Sequence, residues 1–209
     1  MGYVNQDEET QKYYMTLKIA NISEKVLQQV DILSICPPYL NRLAEYAGET
    51  VHLVKRTGTN ICYIYKLEPP HTGNSIQIAS YIGMLSPLYS TGVGKAIMAQ
   101  LSDSEVSEIL ETSRFVAKTQ YTIRNKEQLF HELKQIKAQG YSLDNQENEW
   151  GIRCIAACIP DSRKSANYAL SISAPISRMS DKRIQELVPI IKETAHELSQ
   201  KICPLKRAH

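Results

Sequence analysis

The stretch 140–173 places the strongest limits on the fold of this chain. It contains two apolar runs rich in Ile, Ala and Cys, which the polar residues 161–165 separate. Two such runs joined by a polar loop predict a β-hairpin. Because side chains alternate across a strand, each strand should present one face of small or weakly polar groups. These groups are Cys154, Ala156 and Cys158 on the first strand and Ala169, Ser171 and Ser173 on the second. That face can form the floor of a pocket for a small polar molecule, or it can simply pack tightly.

The composition argues against a nucleic-acid-binding chain and against a membrane protein. The 209 residues carry a net charge of +2, so no strong field favours phosphate or a lipid surface. The N-terminus lacks the basic and apolar regions of a signal peptide, and no apolar run has the length of a membrane span. The five cysteines are unevenly spaced, which argues against a disulfide framework and for a reducing compartment. We expect a cytoplasmic protein of one or two domains.

The N-terminal part predicts a small ribbon followed by two helices. Residues 3–19 contain two short strand-like runs around a polar turn, and such a ribbon is marginal in water by itself. Apolar residues at helical spacing predict a helix over 22–33. A second helix should cover 38–47, because Pro suits the first turn of a helix and Gly48 can end it.

Strands are predicted next, and helices dominate the remainder outside the 140–173 stretch. The runs 51–56 and 61–66 predict a β-hairpin, and 75–82 predicts a third strand. Ser102 and Glu105 have the spacing of a capping box, which marks the start of a helix. Further helices should begin at Gly92, after Asn125 and after Ser180.

The segment Gly92-Val93-Gly94-Lys95 is compatible with two interpretations. The segment does not match a phosphate-binding loop, because that motif needs Gly where Tyr89 stands and Ser or Thr where Ala96 stands. What remains is a helix that begins at residues without side chains. Free N–H groups there favour an anion such as a carboxylate. Glycines in this position can equally serve the close packing of a helix on a sheet.

The reactive side chains form no catalytic or metal-binding constellation. Cys154 and Cys158 lie on one strand face but about 13 Å apart, which is too far for one metal ion. No pattern links either thiol to a histidine that could act as its base, and we interpret the five histidines as surface or satisfied core residues. Asp144 differs from the solvated acidic run after it, because it ends the segment Gly-Tyr-Ser-Leu. We expect no metal and no cofactor.

Four segments carry a family resemblance together, although each alone is weak. They are 88–96, 140–144, 149–157 and 170–175, the last followed by Arg178. In order and spacing they resemble the effector-binding domain of the IclR family of bacterial transcriptional regulators, over about residues 36–202. The run 87–91 is most similar to the sugar-acid-responsive branch of that family, which includes the regulator of 2-keto-3-deoxygluconate metabolism.

The resemblance implies an α/β (α+β) fold, with a GAF-like curved, mostly antiparallel sheet and helices packed on it. It divides the chain into a remnant wing of a winged helix-turn-helix at 1–20, a linker helix at 21–36 and the effector-binding domain at 37–209. The helix-turn-helix that precedes the wing in the family has no counterpart in this sequence. We therefore expect DNA binding only through a helix-turn-helix domain absent from this chain, and assembly as a homodimer or a dimer of dimers.

The resemblance also implies a small organic acid bound between the sheet and the glycine-entered helix. The backbone of Gly92 and Val93 would hold its carboxylate. The rest of the ligand would face Asp144, Cys154, Ser171 and Ser173, with apolar walls from Ile76, Ile78 and Ile152. A sugar acid or keto acid suits these groups, because its oxygens can pair with the carboxyl and the serines.

The leading hypothesis is an effector-sensing domain and not an enzyme. The alternative is a small hydrolase or transferase that uses Cys154 or Ser171 as its nucleophile. A third hypothesis is a structural dimerisation module with a closed, empty pocket. Turnover separates the first two, because a sensor binds its acid unchanged whereas an enzyme converts it.

Overall fold

A two-stranded antiparallel ribbon begins the chain in the computed structural model, which describes residues 2–22, 31–69, 78–113, 115–160 and 166–205. Strand β1 (Val4–Gln6) pairs with β2 (Tyr13–Met15), as the sequence predicted. Residues 18–22 are helical, and helix α1 covers Asp31–Ile35. The middle of the predicted helix 22–33 lies outside the described residues.

A curled, six-stranded antiparallel sheet forms the body of the protein, with the order β5-β4-β3-β8-β7-β6. The mixed α/β fold with an antiparallel sheet that the sequence predicted is therefore confirmed. The strands are β3 (Thr50–Thr57), β4 (Asn60–Leu67), β5 (Leu85–Pro87), β6 (Ser142–Asn145), β7 (Ile152–Ile159) and β8 (Tyr168–Pro175). The hairpin predicted at 140–173 is the pair β7–β8, in which Cys154 lies opposite Ser173 and Ala156 opposite Ser171.

Helices pack on both faces of this sheet and create two separate hydrophobic cores. One face is covered by α1, α2 (Pro37–Ala47) and the C-terminal helix α6 (Asp181–Leu205). The other face is covered by α3 (Gly92–Met98), α4 (Asp103–Thr112) and α5 (Lys126–Gln139). The alternation predicted for the hairpin is confirmed, because Ile155 and Leu170 belong to the first core whereas Ala156 and Ala169 belong to the second.

The helix ends follow the capping signals in the sequence. Gly48 and Gly140 adopt left-handed conformations, with φ of 65° and 79°, directly after α2 and α5. The Ser102 side chain accepts a hydrogen bond from the Glu105 N–H, and the Glu105 carboxylate accepts one from the Ser102 N–H, which completes the predicted capping box of α4. Among the helices that the structure describes, none is both long enough and apolar enough to cross a membrane.

The prediction of a strand at 75–82 is wrong for residues 78–82, the part of this range that the structure describes. These residues are not part of the sheet. The edge of β4 is instead occupied further along the chain: the Gly83 N–H donates to the Tyr63 carbonyl (2.8 Å), and β5 follows at Leu85–Pro87. The carbonyls of Ile78 and Ser80 accept hydrogen bonds from the Lys66 ammonium (3.1 and 2.7 Å). A side chain thus satisfies the backbone groups that a neighbouring strand would otherwise pair.

Candidate functional site

A small cavity of about 40 Å³ lies between the sheet and the N-terminal end of α3. Strands β3, β4, β7 and β8 contribute its floor, and the loop after β6 and the segment 78–84 contribute its walls. The described residues that line it are His52, Tyr63, Ile78, Ala79, Ser80, Met84, Thr91, Gly92, Val93, Asp144, Asn148, Glu149, Ile152, Cys154 and Ser173.

The cavity brings together most of the residues that the family resemblance implied. Of that set, those lining it are Gly92, Val93, Asp144, Cys154, Ser173, Ile78 and Ile152. Ser171 is not among the described lining residues, and its hydroxyl lies behind the wall, 3.4 Å from His52 Nδ1. Ile76 lies outside the described residues.

The two glycines at the start of α3 have different roles. A Cβ at Gly94 would clash with the carbonyl oxygen of Leu88 and lie 2.5 Å from Leu88 Cα, so this glycine permits close packing. Gly92 lines the cavity, and a Cβ there would lie 3.3 Å from the Asp144 backbone nitrogen. The close-packing interpretation therefore explains Gly94, whereas Gly92 borders the cavity.

The helix start leaves two donors directed away from the helix. The Thr91 hydroxyl oxygen accepts a hydrogen bond from the Gly94 N–H (3.1 Å), and Thr91 itself donates to the Pro87 carbonyl (3.1 Å). Among the described residues, the N–H groups of Gly92 and Val93 have no hydrogen-bond partner. Because the first N–H groups of a helix have no acceptor within it, they are available to an external acceptor.

Asp144 is a buried carboxyl at the end of β6. One of its oxygens, Oδ1, accepts hydrogen bonds from the N–H groups of Glu147 (2.7 Å) and Asn148 (3.3 Å), and the side chain thereby shapes the loop after β6. Burial, followed by the charge of Glu147, raises the pKa of Asp144 from 3.8 to about 7. Asp144 is therefore a group that changes its protonation state near neutral pH.

Lys95 is not among the described lining residues, and it forms a buried ion pair instead. Its ammonium lies 2.6 Å from Glu147 Oε1 and 3.1 Å from Glu132 Oε1, and its side chain is fully buried. Burial lowers the pKa of Lys95, but the charges of Glu147 and Glu132 outweigh that effect and raise it above its usual value. The lysine of the Gly-Val-Gly-Lys segment is thus used to join α3 to α5 and to the loop after β6, and not to bind phosphate.

His52 is one of eight described lining residues that sequence reasoning missed; the others are Tyr63, Ala79, Ser80, Met84, Thr91, Asn148 and Glu149. His52 lies on β3, is only 2% exposed, and its Nε2 is 2.8 Å from the Ser80 hydroxyl oxygen. Its Nδ1 lies 3.3 Å from Ser173 Oγ. Burial and then the charge of Lys66 lower the pKa of His52 from 6.5 to about 3, so the ring is neutral at physiological pH. The only signal in the sequence is its position in the otherwise apolar run Val-His-Leu-Val.

The nucleophiles of the enzyme hypothesis lack activation. Burial, and then the charge of Asp144, raises the pKa of the Cys154 thiol well above its usual range, whereas a catalytic cysteine needs a lowered one. Ser171 lies near His52 Nδ1, but the other ring nitrogen pairs with the Ser80 hydroxyl rather than with a carboxylate. That arrangement lacks the orienting acid of a serine–histidine–aspartate triad.

The comparison with known proteins decides the family. Residues 24–200 match the family model described as "Bacterial transcriptional regulator IclR C-terminal". This chain belongs to the IclR family. It is 36% identical over 199 residues to the HTH-type transcriptional regulator KdgR of Escherichia coli K12. The match covers 95% of this chain and 74% of that protein. KdgR of Dickeya chrysanthemi is 35% identical, over 97% of this chain and 65% of the relative.

Solved structures of IclR-family proteins share the fold. The crystal structure of Thermotoga maritima IclR superposes with a TM-score of 0.85 at 34% identity, over 96% of this chain and 80% of that one. The C-terminal domain of E. coli KdgR superposes with a TM-score of 0.73 at 34% identity, over 83% of this chain and 99% of that domain. These IclR-family relatives are transcriptional regulators and not enzymes, so the hydrolase or transferase hypothesis is discarded.

Proposed function

We propose that this chain is the effector-sensing part of a bacterial transcriptional regulator, and that its cavity binds a small organic acid with hydroxyl or keto groups. The observation that carries the proposal is the cavity itself. It combines two unpaired backbone donors, those of Gly92 and Val93, with the polar side chains Asp144 and Ser173. Donors on one side and mixed polar groups on the other suit a molecule with a carboxylate at one end and oxygens along its chain.

The backbone donors support the carboxylate. Helix α3 has only seven residues, so its dipole is not the main argument. The argument is that Gly92 and Val93 line the cavity and that their N–H groups have no acceptor among the described residues. A buried donor without an acceptor costs about 1–3 kcal/mol. A carboxylate there would accept both hydrogen bonds.

The polar side chains support the hydroxyl or keto groups. A site that hydrogen-bonds hydroxyls discriminates against analogues that lack them, because its own groups are then left unpaired. The similarity to KdgR of two bacteria is compatible with a sugar acid. The cavity is small, so we expect a six-carbon acid to bind only after the residues around it move apart.

The remaining parts of the regulator are assigned by the same proposal. We assign 1–20 to the wing of a DNA-binding domain, 21–36 to a linker helix and 37–209 to the effector-binding domain. IclR-family regulators bind DNA and small-molecule effectors and oligomerise. For this chain we propose a homodimer or a dimer of dimers that acts in the cytoplasm and contacts DNA only through a helix-turn-helix domain absent from this chain.

A thermal-shift panel followed by calorimetry tests the acid. The panel contains D-glycerate, propionate, pyruvate, D-gluconate and hexanoate. We expect at least one hydroxylated or keto acid to raise the melting temperature and to return unchanged after incubation. Trp150, the only tryptophan, follows the cavity residue Glu149, so its fluorescence gives an independent binding signal. A panel in which no acid binds would favour the closed dimerisation module.

Two substitutions at one position test the backbone donors. Gly92→Ala adds a Cβ but keeps the N–H, whereas Gly92→Pro adds the same Cβ, closes a ring through Cγ and Cδ, and removes the N–H. Proline is tolerated here because the position is the first of the helix and the preceding Thr91 is extended, with φ −109° and ψ 144°. We expect acid affinity to fall about tenfold more in the Pro variant than in the Ala variant. Equal affinities in two folded variants would show that the Gly92 N–H does not hold the carboxylate.

Two serine substitutions test the hydroxyl contacts. Ser173 lines the cavity and Ser171 lies behind His52, although both are on the same face of β8. Ser173→Ala should therefore lower the affinity for D-gluconate or D-glycerate by a larger factor than Ser171→Ala does. The deoxy acids hexanoate and propionate should be affected little by either change. An equal loss of affinity for all acids would contradict the proposal that Ser173 hydrogen-bonds the hydroxyl groups of the ligand.

A further inference from the structure

One imidazole ring connects opposite walls of the cavity. His52 reaches Ser80 on the wall formed by 78–84 through Nε2, at 2.8 Å. Through Nδ1 it reaches Ser173 on β8, at 3.3 Å. The Tyr63 ring packs edge-on against it, with centroids 5.1 Å apart and planes at 66°, which limits rotation of the imidazole. The ring is held between two hydroxyls that both face the ligand space.

The His52 ring can donate only one hydrogen bond to the serines around it. A neutral imidazole has one N–H donor and one nitrogen acceptor. If Nε2 carries the proton, it donates to the Ser80 oxygen, and Nδ1 must accept from a serine on β8. If Nδ1 carries the proton, the direction of both hydrogen bonds is reversed. The tautomer of one ring therefore decides which hydroxyl offers its proton to a ligand and which offers its lone pair.

Two serines compete for the same ring nitrogen. Ser171 Oγ lies 3.4 Å and Ser173 Oγ 3.3 Å from Nδ1, and both distances are long for hydrogen bonds. Nδ1 carries either one proton or one lone pair, so it cannot serve both hydroxyls well. Because Ser171 is behind the wall, it can keep the ring nitrogen while Ser173 turns to a ligand.

The Ser80 wall is also positioned from the sheet. The Lys66 ammonium holds the carbonyls of Ile78 and Ser80 at 3.1 and 2.7 Å and pairs with Glu68 at 2.7 Å. The backbone of this segment is therefore fixed by Lys66, and the Ser80 hydroxyl is oriented by His52. The two basic side chains have separate tasks, because the lysine contacts only backbone oxygens there and the histidine contacts the hydroxyl.

We propose that His52 is a specificity-determining residue of this cavity, which orients the hydroxyls of Ser80 and Ser173 for an acid that carries hydroxyl groups beside its carboxylate. This inference rests on the proposed acid-binding function and adds the residue that selects among acids. His52 is a positioning residue, because it acts through the two serines. It does not act as a pH sensor, since the ring stays neutral across the physiological range.

Isothermal titration of two acid pairs tests the inference. The pairs are D-gluconate with hexanoate and D-glycerate with propionate, which differ in their hydroxyls at equal chain length. The variants are His52→Leu, which removes both ring nitrogens, and His52→Gln, which keeps one donor and one acceptor. The control is His131→Leu, at an exposed histidine of α5 that is not among the described lining residues.

We expect His52→Leu to lower the affinity for the hydroxylated acid about tenfold, and the affinity for its deoxy partner less than about threefold. His52→Gln should recover part of the selectivity, and His131→Leu should behave as the wild type. A purely structural role would lower the melting temperature and weaken both members of a pair equally, which would overturn the inference alone. Failure of the wild type to bind any of these four acids, and also pyruvate, would overturn the proposed function as well.

A measurement on the unmodified protein keeps the inference testable if the variants do not fold. Nitrogen-15 NMR distinguishes the two neutral tautomers of a histidine ring. We expect the His52 ring nitrogens to shift when D-gluconate or D-glycerate is added and to change little with hexanoate or propionate. Identical ring spectra with and without a bound hydroxylated acid would contradict a role for His52 in selecting it.

Discussion

Asp144 is a carboxyl whose charged form is poorly stabilised in the folded protein. It is 5% exposed, and only two backbone N–H groups are bonded to it among the described residues. Its pKa is about 7 in the folded state against 3.8 ordinarily. A raised pKa means that the folded state binds the proton more tightly than the unfolded state. The stability associated with this proton is complete below about pH 4 and is lost as the pH rises through 7.

Replacing Asp144 by Asn should remove this pH dependence. The amide keeps the size and an oxygen acceptor for the loop N–H groups, but it does not ionise. We expect the wild-type free energy of unfolding to fall relative to that of Asp144→Asn between pH 5 and pH 8.5, by a few kcal/mol at most. Urea unfolding at both pH values measures the difference. A constant difference between the two proteins would show that Asp144 is ionised throughout.

The same carboxyl should make acid binding dependent on pH. An anionic ligand beside Asp144 favours the protonated carboxyl still more, so binding above pH 7 requires the uptake of a proton. We expect the affinity for D-gluconate or D-glycerate to fall by up to about tenfold per pH unit above 7, and to change little below it. Calorimetry in two buffers with different ionisation enthalpies counts the protons taken up. The Asp144→Asn variant should show no uptake, and Asp144→Ala should bind more weakly than Asn at every pH.

At the scale of elements, the Lys95 ion pair joins three parts of the protein around the cavity. Lys95 is on α3, Glu132 is on α5, and Glu147 is in the loop that also supplies the cavity residues Asn148 and Glu149. Glu147 Oε2 is buried and has no partner among the described residues. The ion pair is therefore the main compensation for burying the Glu147 carboxylate, whereas the Glu132 side chain is 31% exposed.

Removing only the lysine should destabilise the fold more than removing the pair. Lys95→Met leaves Glu147 buried without its counter-ion, which typically costs about 3–5 kcal/mol. The double variant Lys95→Met/Glu147→Gln should recover part of that loss, because the remaining amide is neutral. Chemical unfolding of the wild type, the two single variants and the double variant measures the coupling. Strictly additive changes would show that the two residues act independently.

The two glycines of α3 should respond differently to the same substitution. A methyl group at Gly94 meets the backbone of Leu88, which cannot move without the strand connection that contains it. A methyl group at Gly92 meets its neighbours at 3.3–3.5 Å, which a shift of a few tenths of an ångström can relieve. We expect Gly94→Ala to lower the melting temperature strongly and Gly92→Ala to lower it slightly. Equal melting temperatures would contradict the close packing of α3 on the segment before it.

At the scale of the whole molecule, the distribution of charge does not favour DNA. The ribbon β1–β2 carries Asp7, Glu8 and Glu9 against Lys12, Lys18 follows it in the helical segment 18–22, and the net charge of the chain is +2. Non-specific and specific DNA binding both depend on clustered Lys and Arg that neutralise phosphates. The ribbon β1–β2 therefore offers no basic surface for the DNA contacts that a transcriptional regulator makes.

We accordingly expect this polypeptide alone to show no sequence-specific DNA binding. Electrophoretic mobility shifts with the region upstream of its own gene should disappear in about 200 mM salt or with unrelated competitor DNA. Full-length E. coli KdgR, with its operator, serves as the positive control for the assay. A complex that survives both salt and competitor would contradict the assignment of DNA binding to a domain outside this sequence.

The elements of this fold were mostly predictable because their signals are local. Capping by Ser102, the left-handed glycines at 48 and 140, and the alternation of the 140–173 hairpin each depend on residues close together in the chain. The family resemblance then supplied seven of the fifteen described cavity residues, including Gly92 and Asp144. Local rules were wrong at 78–82, where a β-like composition is held by a lysine side chain instead of a strand.

The membership of the cavity beyond those motifs depended on the tertiary structure. His52 and Ser80 lie 121 and 93 positions from Ser173, which the motif at 170–175 had supplied. The three meet only because β3 lies between β4 and β8 in the sheet. Burial in that arrangement keeps the His52 ring neutral and raises the pKa of Asp144, effects that the residue types alone do not reveal. The sequence by itself determined the secondary structure and the family, because those are written in short-range patterns. Strand order and desolvation determined which side chains share the site and in which protonation state, because both arise only when distant segments pack together.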